Sequence, residues 1–280
     1  MRIVLTAAVL LFTSPYCLAQ QSETRWFGAS KVFGAVRSIR VEKATFENQN
    51  DALSEGPRVL LQTATYNEDG TRVEITNYRS DASVGLRTVE QFDKTGHLLE
   101  RTTFGPHGEE MSRWVWVYDD NGRWKTLTIY GGDGSVGKTT FTYDGNFRFQ
   151  TTENYDHNGV LIAKITGKLD MRTHRSEMIS QDREATTQRT SAFTDTADGQ
   201  TYEATRNGQL TDKTVNTKTP NGGEMTQYNP DGSVMKRSRA ESKTDSHGNA
   251  IQTTWFEQVT SGDFHPTNII YRTFTYYDNR

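Results

Sequence analysis

Between residues 58 and 167 the chain alternates apolar and polar side chains in short runs. Most runs end on an aromatic residue, three polar residues and a glycine. Met111 to Tyr118 is the clearest: Trp114, Trp116 and Tyr118 fall on one side of an extended chain, Val115 and Val117 on the other. A period of two with threonine, valine and aromatics dominant predicts strands, because helix formers do not recur at helical spacing. The run Arg123 to Tyr130 and the run Thr139 to Tyr143 continue the pattern.

The phrase that ends each run is a turn. It is written Tyr66-Asn67-Glu68-Asp69-Gly70, Phe92-Asp93-Lys94-Thr95-Gly96 and Phe104-Gly105-Pro106-His107-Gly108. It recurs at Tyr118 to Gly122, Tyr130 to Gly134, Tyr155 to Gly159 and Tyr228 to Gly232. In Asn229-Pro230-Asp231-Gly232, proline presets the first corner and aspartate bonds the local backbone. Glycine then takes the positive φ that closes the turn. Successive glycines at 96, 108, 122, 134, 145 and 159 leave room for one strand each. Strands joined by such short turns run antiparallel. A meander sends alternate turns to opposite ends, so the aromatic residues should form one row along each margin.

The expected fold is therefore all-β, an extended antiparallel meander of repeated hairpins with little helix. Residues 20–57 are read as an N-terminal strand, Val36 to Phe46, and a polar loop. Residues 58–280 are the repeat domain, with a degenerate stretch near 168–192 that lacks clear turn glycines. The last strands expected are Ile251 to Val259 and Ile269 to Tyr277.

Residues 1–19 read as a secretory signal peptide, with Arg2 as the charge, Ile3 to Phe12 as the apolar stretch and Cys17-Leu18-Ala19 at the cleavage-reading positions. This places the protein outside the cytoplasm: secreted, periplasmic or on the cell surface. Cys17 is the chain's single cysteine. Its loss with the leader leaves no thiol for a disulfide or a metal. The chain carries 32 Lys and Arg against 35 Asp and Glu, interspersed without long runs. That distribution argues against a nucleic-acid partner. No transmembrane helix is expected after cleavage.

At the turn phrases the chain resembles the RHS/YD-repeat family of exported bacterial proteins. Tyr118-Asp119-Asp120-Asn121-Gly122 and Tyr155-Asp156-His157-Asn158-Gly159 match its phrase most closely, and Asp245 to Asn249 followed by Tyr271 to Tyr277 looks like a terminal unit. The resemblance covers about residues 58–167 and 193–278. The chain is short beside the large RHS toxins and shows no recognisable toxin segment. A MORN-like pattern is the competing resemblance. Both imply a hairpin array, and neither supplies catalytic residues.

One string looks like chemistry. Gly132 to Thr139 satisfies the P-loop pattern, with Gly132, Gly137, Lys138 and Thr139 in the phosphate-binding positions. A working P-loop needs a helix after the glycines, whereas Thr139 to Tyr143 reads as a strand. The string is read as coincidence, so no cofactor is expected. The six histidines include no pair at metal-ligand spacing, and no serine sits in a nucleophile elbow. Trp114, Trp116 and Trp124 form the candidate binding surface, for a glycan or a surface protein, unless they are simply the sheet's covered face. The expected function is a non-enzymatic binding or structural module. The alternative is an exported polysaccharide hydrolase with carboxylates in a groove.

Overall fold

The computed structural model describes residues 24–27, 30–49, 52–173, 175–182, 186–220, 222–258 and 262–277. The expected leader with Cys17 lies outside these residues, as does His174. In the turn phrases, aspartate works in two ways. Asp119 Oδ1 accepts the backbone N–H groups of Asn121 (3.0 Å) and Arg123 (2.9 Å), while Gly122 N–H donates to the Asp119 carbonyl (2.9 Å). Asp93, Asp156 and Asp245 repeat this arrangement. Where aspartate precedes the glycine directly, at Asp69, Asp133 and Asp231, it accepts instead from Thr71, Ser135 and Ser233. Each of these donates both its backbone N–H and its hydroxyl. Gly232 sits at φ 85° and Gly96 at φ 90°, the left-handed conformation that such turns require.

Among the described residues these turns deliver twenty-one strands. The first four are β1 (Thr24–Phe27), β2 (Ser30–Phe33), β3 (Val36–Gln49) and β4 (Ala52–Glu55). The repeat then runs through β5 (Val59–Tyr66), β6 (Arg72–Tyr78), β7 (Val84–Phe92), β8 (Leu98–Phe104), β9 (Glu110–Tyr118) and β10 (Trp124–Gly131). It continues with β11 (Val136–Asp144), β12 (Phe147–Tyr155), β13 (Leu161–Asp170), β14 (Arg175–Asp182), β15 (Thr186–Thr196) and β16 (Gly199–Arg206). It ends with β17 (Gln209–Thr219), β18 (Gly222–Tyr228), β19 (Val234–Thr244), β20 (Ala250–Gln258) and β21 (Phe264–Tyr276). The described residues of the stretch 168–192 pair like their neighbours, and the stretch read as a polar loop holds β4, hairpinned on the far end of β3. Among the described residues no helix is long and apolar enough to cross a membrane.

All-β antiparallel order holds, but the open meander does not. Val36–Gln49 pairs with Phe264–Tyr276 on one side and Val59–Tyr66 on the other, so β3 and β5 to β21 close into an 18-stranded barrel. The physical reason is the edge. An open array leaves two strands with unpaired N–H and C=O groups, and closure pairs them with each other. Ser38 and Thr275 sit side by side at this seam with their hydroxyls 2.6 Å apart, although 237 residues separate them in sequence.

Residues opposite one another on antiparallel neighbours share a face, so the register tracks each face round the ring. Ile39, Ala64 and Ile75 lie in one row, and Trp116, Leu127 and Thr139 in another on the same face. This face holds both hydrophobic clusters. One gathers Val36, Ile39, Ala64, Tyr66, Val73 and Ile75, the other Trp116, Leu127 and Phe141. The opposite face carries the ion pairs Arg72–Glu74, Lys164–Glu153, Lys213–Glu203 and Arg239–Glu241. Close backbone contacts join only strands that are sheet neighbours, and Val32 of the separate β1–β2 hairpin packs into the first of these clusters. The covered face is therefore the concave one, where side chains converge, and it lines the lumen. A ring of this strand number is wide enough to hold water.

The aromatic residues of the turn phrase do form two rows, and the rows face opposite ways. At one mouth Tyr66, Phe92, Tyr118, Tyr143 and Tyr276 belong to the clustered, lumen-facing side. At the other mouth Phe104, Tyr130 and Tyr228 point outward, each beneath a cation from its register partner. Those cations are Arg87 (4.4 Å), Arg113 (4.9 Å) and Lys213 (5.8 Å). Strand parity alone makes this difference, because side chains alternate faces.

Candidate functional site

The three candidate tryptophans meet on the lumen wall. Trp114 and Trp116 lie two residues apart on β9 and so share a face, with ring centroids 5.9 Å apart and tilted by 35°. Trp124 opens β10 opposite Tyr118, and its ring lies 5.7 Å from Phe141 on β11. Trp116 is buried, at 6% exposure, under Leu127 and Phe141. Trp114 and Trp124 are half-buried at the border of that cluster. Trp116 thus packs the wall, while Trp114 and Trp124 present partial faces to the lumen.

Charged groups that were not singled out in the sequence join them. Arg101 on β8 is the register partner of both Glu90 and Trp114, and its Nε donates to Glu90 Oε1 at 2.7 Å. Glu90 is 4% exposed, so its negative charge is spent on holding Arg101. The Arg101 guanidinium lies 5.9 Å from the Trp116 ring. On the other flank, Arg148 on β12 pairs with Tyr143 and places its guanidinium 5.3 Å from Trp124 and 5.4 Å from Phe141. Burial pulls the Arg148 pKa below the usual guanidinium range. Burial likewise pushes the Tyr143 phenol up, against the opposing pull of Arg148.

One of these partnerships could have been found by reading the chain. Tyr143 and Arg148 flank the tight turn at Gly145-Asn146, so hairpin parity places them opposite each other. Arg101 and Glu90 meet only because of the β7–β8 register, which shifts at Phe92. The same shift recurs at Phe104, Tyr155 and Tyr228, the aromatic residues of other turn phrases, so it travels with the phrase.

The P-loop string is pulled apart by the fold. Gly132 sits in the β10–β11 turn, where its N–H donates to the Met111 carbonyl at 2.8 Å. Gly137, Lys138 and Thr139 belong to β11, and no helix begins there. Thr139 is buried, its hydroxyl 2.9 Å from that of Thr152. Lys138 points to the opposite face, across from Glu153. Threonine and lysine therefore cannot converge on one phosphate.

Two of the histidines, His97 and His247, act as ring partners at one mouth. His97 stacks on Tyr118 at 4.5 Å and His247 on Tyr276 at 4.2 Å. Burial pushes the Asp93 carboxyl up, but hydrogen bonds from the Thr95 hydroxyl and from His97 outweigh it and hold the pKa at about 2. Beside His247, burial and then the hydrogen bond to Asp245 push Tyr276 up to about 12. A shallow depression of about 450 Å³ lies against the seam here, lined by Asp245, His247, Tyr271, Arg272 and Tyr276 among others. No group of His, Cys, Asp and Glu among the described residues could hold a metal ion.

No protein-family model and no curated protein matches the sequence. Among solved structures, the chain is similar to a porin-like protein from Bacteroides uniformis at 12% identity and a TM-score of 0.32, covering 86% of this chain and 96% of that one. A porin-like protein from Bacteroides vulgatus gives 13% identity and a TM-score of 0.29, covering 86% and 99%. The TcdB2-TccC3-TEV structure gives 8% identity and a TM-score of 0.23, covering 78% of this chain and 16% of that one. Likenesses at these scores carry no argument about function.

Proposed function

We propose that this protein is an exported, non-enzymatic binding module that holds its ligand against the lumen wall of a closed β-ring. The carrying observation is the aromatic strip. Trp114 and Trp124 are half-buried beside a packed cluster of Trp116, Leu127 and Phe141, on the face that lines a lumen wide enough for water. Half-covered tryptophans offer flat apolar surface already fixed in place, which lowers the entropy cost of binding a sugar ring or an apolar side chain.

The outward face supports a ring in water rather than in lipid. Its charged strand residues, such as Arg72, Glu74, Arg87, Lys164 and Arg239, would each oppose burial in hydrocarbon by about 2–4 kcal/mol for the cations near the midplane. Export rests on the leader-like residues 1–19. Of the wall's charged groups, Glu90 is tied to Arg101, which suits anchoring rather than proton transfer.

The test is a glycan array together with a pull-down of surface proteins, comparing the wild-type chain with Trp114→Ala and Trp124→Ala. Ligand retention by the wild type and its loss in both variants supports the reading. Turnover of a polysaccharide panel by the purified protein overturns it.

A further inference from the structure

We propose that the lumen wall carries a separate site for a phosphate dianion, at Arg272 on β21 and Lys43 on β3. Arg272 is the register partner of Val41, and Ile270 that of Lys43. The two cations are therefore diagonal neighbours across the seam, with backbones about 7–8 Å apart. Both project from the lumen face. Val41 belongs to the first hydrophobic cluster, Ile270 and Phe274 pack against it, and Arg272 and Lys43 share their parity. Five strand spacings of about 4.8 Å lie between β3 and β9, so roughly 24 Å of wall separates this site from Trp114. The two sites stand or fall independently.

Among the described residues no carboxylate pairs with either cation, because those on the flanking strands are committed elsewhere. Glu42 and Glu241 face outward beside Arg40 and Arg239, and Glu257 meets Lys236. Asp245, at the mouth, accepts from the Tyr276 hydroxyl at 2.6 Å and from the N–H groups of its own turn. The row through Arg272 and Val41 continues to Gln62 and Asn77, two neutral amides bonded to each other at 2.8 Å. Arg272 is half-buried and fixed in place: its Nη1 donates to Thr253 Oγ1 at 3.1 Å, and the Thr253 and Ser242 hydroxyls lie 3.1 Å apart. A hydroxyl gives the guanidinium no countercharge, while burial holds its pKa below the usual guanidinium range. A bound anion offsets that desolvation. One carboxylate would be satisfied by the arginine fork alone. A planar fork beside a point charge suits a dianion whose oxygens point several ways.

Calorimetry with the full chain would use inorganic phosphate, methyl phosphate and acetate at matched ionic strength and about pH 8, where the phosphates are dianions. Both phosphates should bind, and acetate should bind about ten-fold more weakly or not at all. Arg272→Gln and Lys43→Gln should each weaken phosphate about ten-fold, Arg272→Lys should recover part of the loss, and Lys164→Gln on the outer face should change nothing. Phosphate should also raise the melting temperature of the wild type but not of Arg272→Gln, whose own cooperative melt shows that it is folded. Tighter binding of the ester assigns the site to phosphorylated ligands and equal binding assigns it to the free ion, and both outcomes support it. Phosphate that fails to bind, or that binds Arg272→Gln and Lys43→Gln as well as wild type, overturns the site and leaves the tryptophan strip untouched.

Discussion

The hydroxyl of Tyr118 donates to the backbone carbonyl of Leu98 at 2.9 Å, so the end of one hairpin is fastened to the start of the return strand in the hairpin before it. Tyr143 does the same to Trp124, also at 2.9 Å, and across the ring closure Tyr277 donates to the carbonyl of Tyr66 at the end of β5. A tyrosine that looks like a turn marker in the sequence is a tie between repeats. Its ring stacks on a neighbour, His97 for Tyr118, while its hydroxyl bonds a backbone carbonyl at the start of another strand.

Tyr118→Phe should therefore cost about 1 kcal/mol, the net value of one hydrogen bond, with little change in the stacked ring. Urea unfolding followed by tryptophan fluorescence measures it. A loss below about 0.3 kcal/mol would show the tie to be incidental.

The Asp93 turn should weaken in acid. Its carboxyl is held at about 2 in the folded chain against an ordinary 3.8, so ionisation favours the fold. This contribution is complete above about pH 4 and is lost as the pH falls through about 2. Asp93→Asn should be less stable than wild type at pH 6, and the gap should close by pH 2. A gap that stays constant across that range refutes the assignment. About a third of the side chain is exposed, so solvent screens the interaction and the gap is small.

Two glycines should respond differently to alanine. At Gly232 the added methyl meets nothing within 4 Å, and the cost is the left-handed backbone alone, about 1–2 kcal/mol. At Gly222 the methyl would lie 1.9 Å from the Ala240 carbonyl oxygen, which forces the β18–β19 pair apart. Gly222→Ala should be the more damaging in thermal melts, and the reverse order would overturn this register.

Closure itself is open to a chemical test. Ser38→Cys with Thr275→Cys, in a Cys17→Ser background, should form an intramolecular disulfide under mild oxidation, because the two positions face each other at the seam. Mass spectrometry after trypsin digestion reads the cross-link. An open sheet would leave both thiols free.

Trp116→Ala should cost about 3–5 kcal/mol as a buried cavity, whereas Trp114→Ala should cost less stability and more ligand. Parallel melts and binding curves separate the two roles.

Much of this could be read from the chain, and the limits have a physical origin. The alternation of Trp114, Val115 and Trp116, together with the Asp119 and Asp231 turns, specifies strands, antiparallel order and shared faces, since each depends on residues a few positions apart. The pairing of Ser38 with Thr275 does not, because no local signal tells two distant edges that they will meet. The site divides the same way. The tryptophans announce themselves by spacing, but Arg101 and Glu90 stand out only once the β7–β8 and β8–β9 pairings put them beside Trp114. The string from Gly132 to Thr139 is the converse case, a local pattern whose meaning is cancelled by the strand that contains it.

The double pairing of β3 also sets an order of events. As the chain is synthesised, β3 gains β5 within moments, yet its other side waits until β21 has emerged, more than two hundred residues later. Until then the nascent sheet grows with one edge exposed at its start and another at its moving front, both competent to capture a neighbouring chain. Sealing the ring is the longest-range and latest event the fold allows, so it should limit the overall folding rate. An interrupted chain that stops short of β21 would contain nearly all the correct local structure and still be the most aggregation-prone form of the protein.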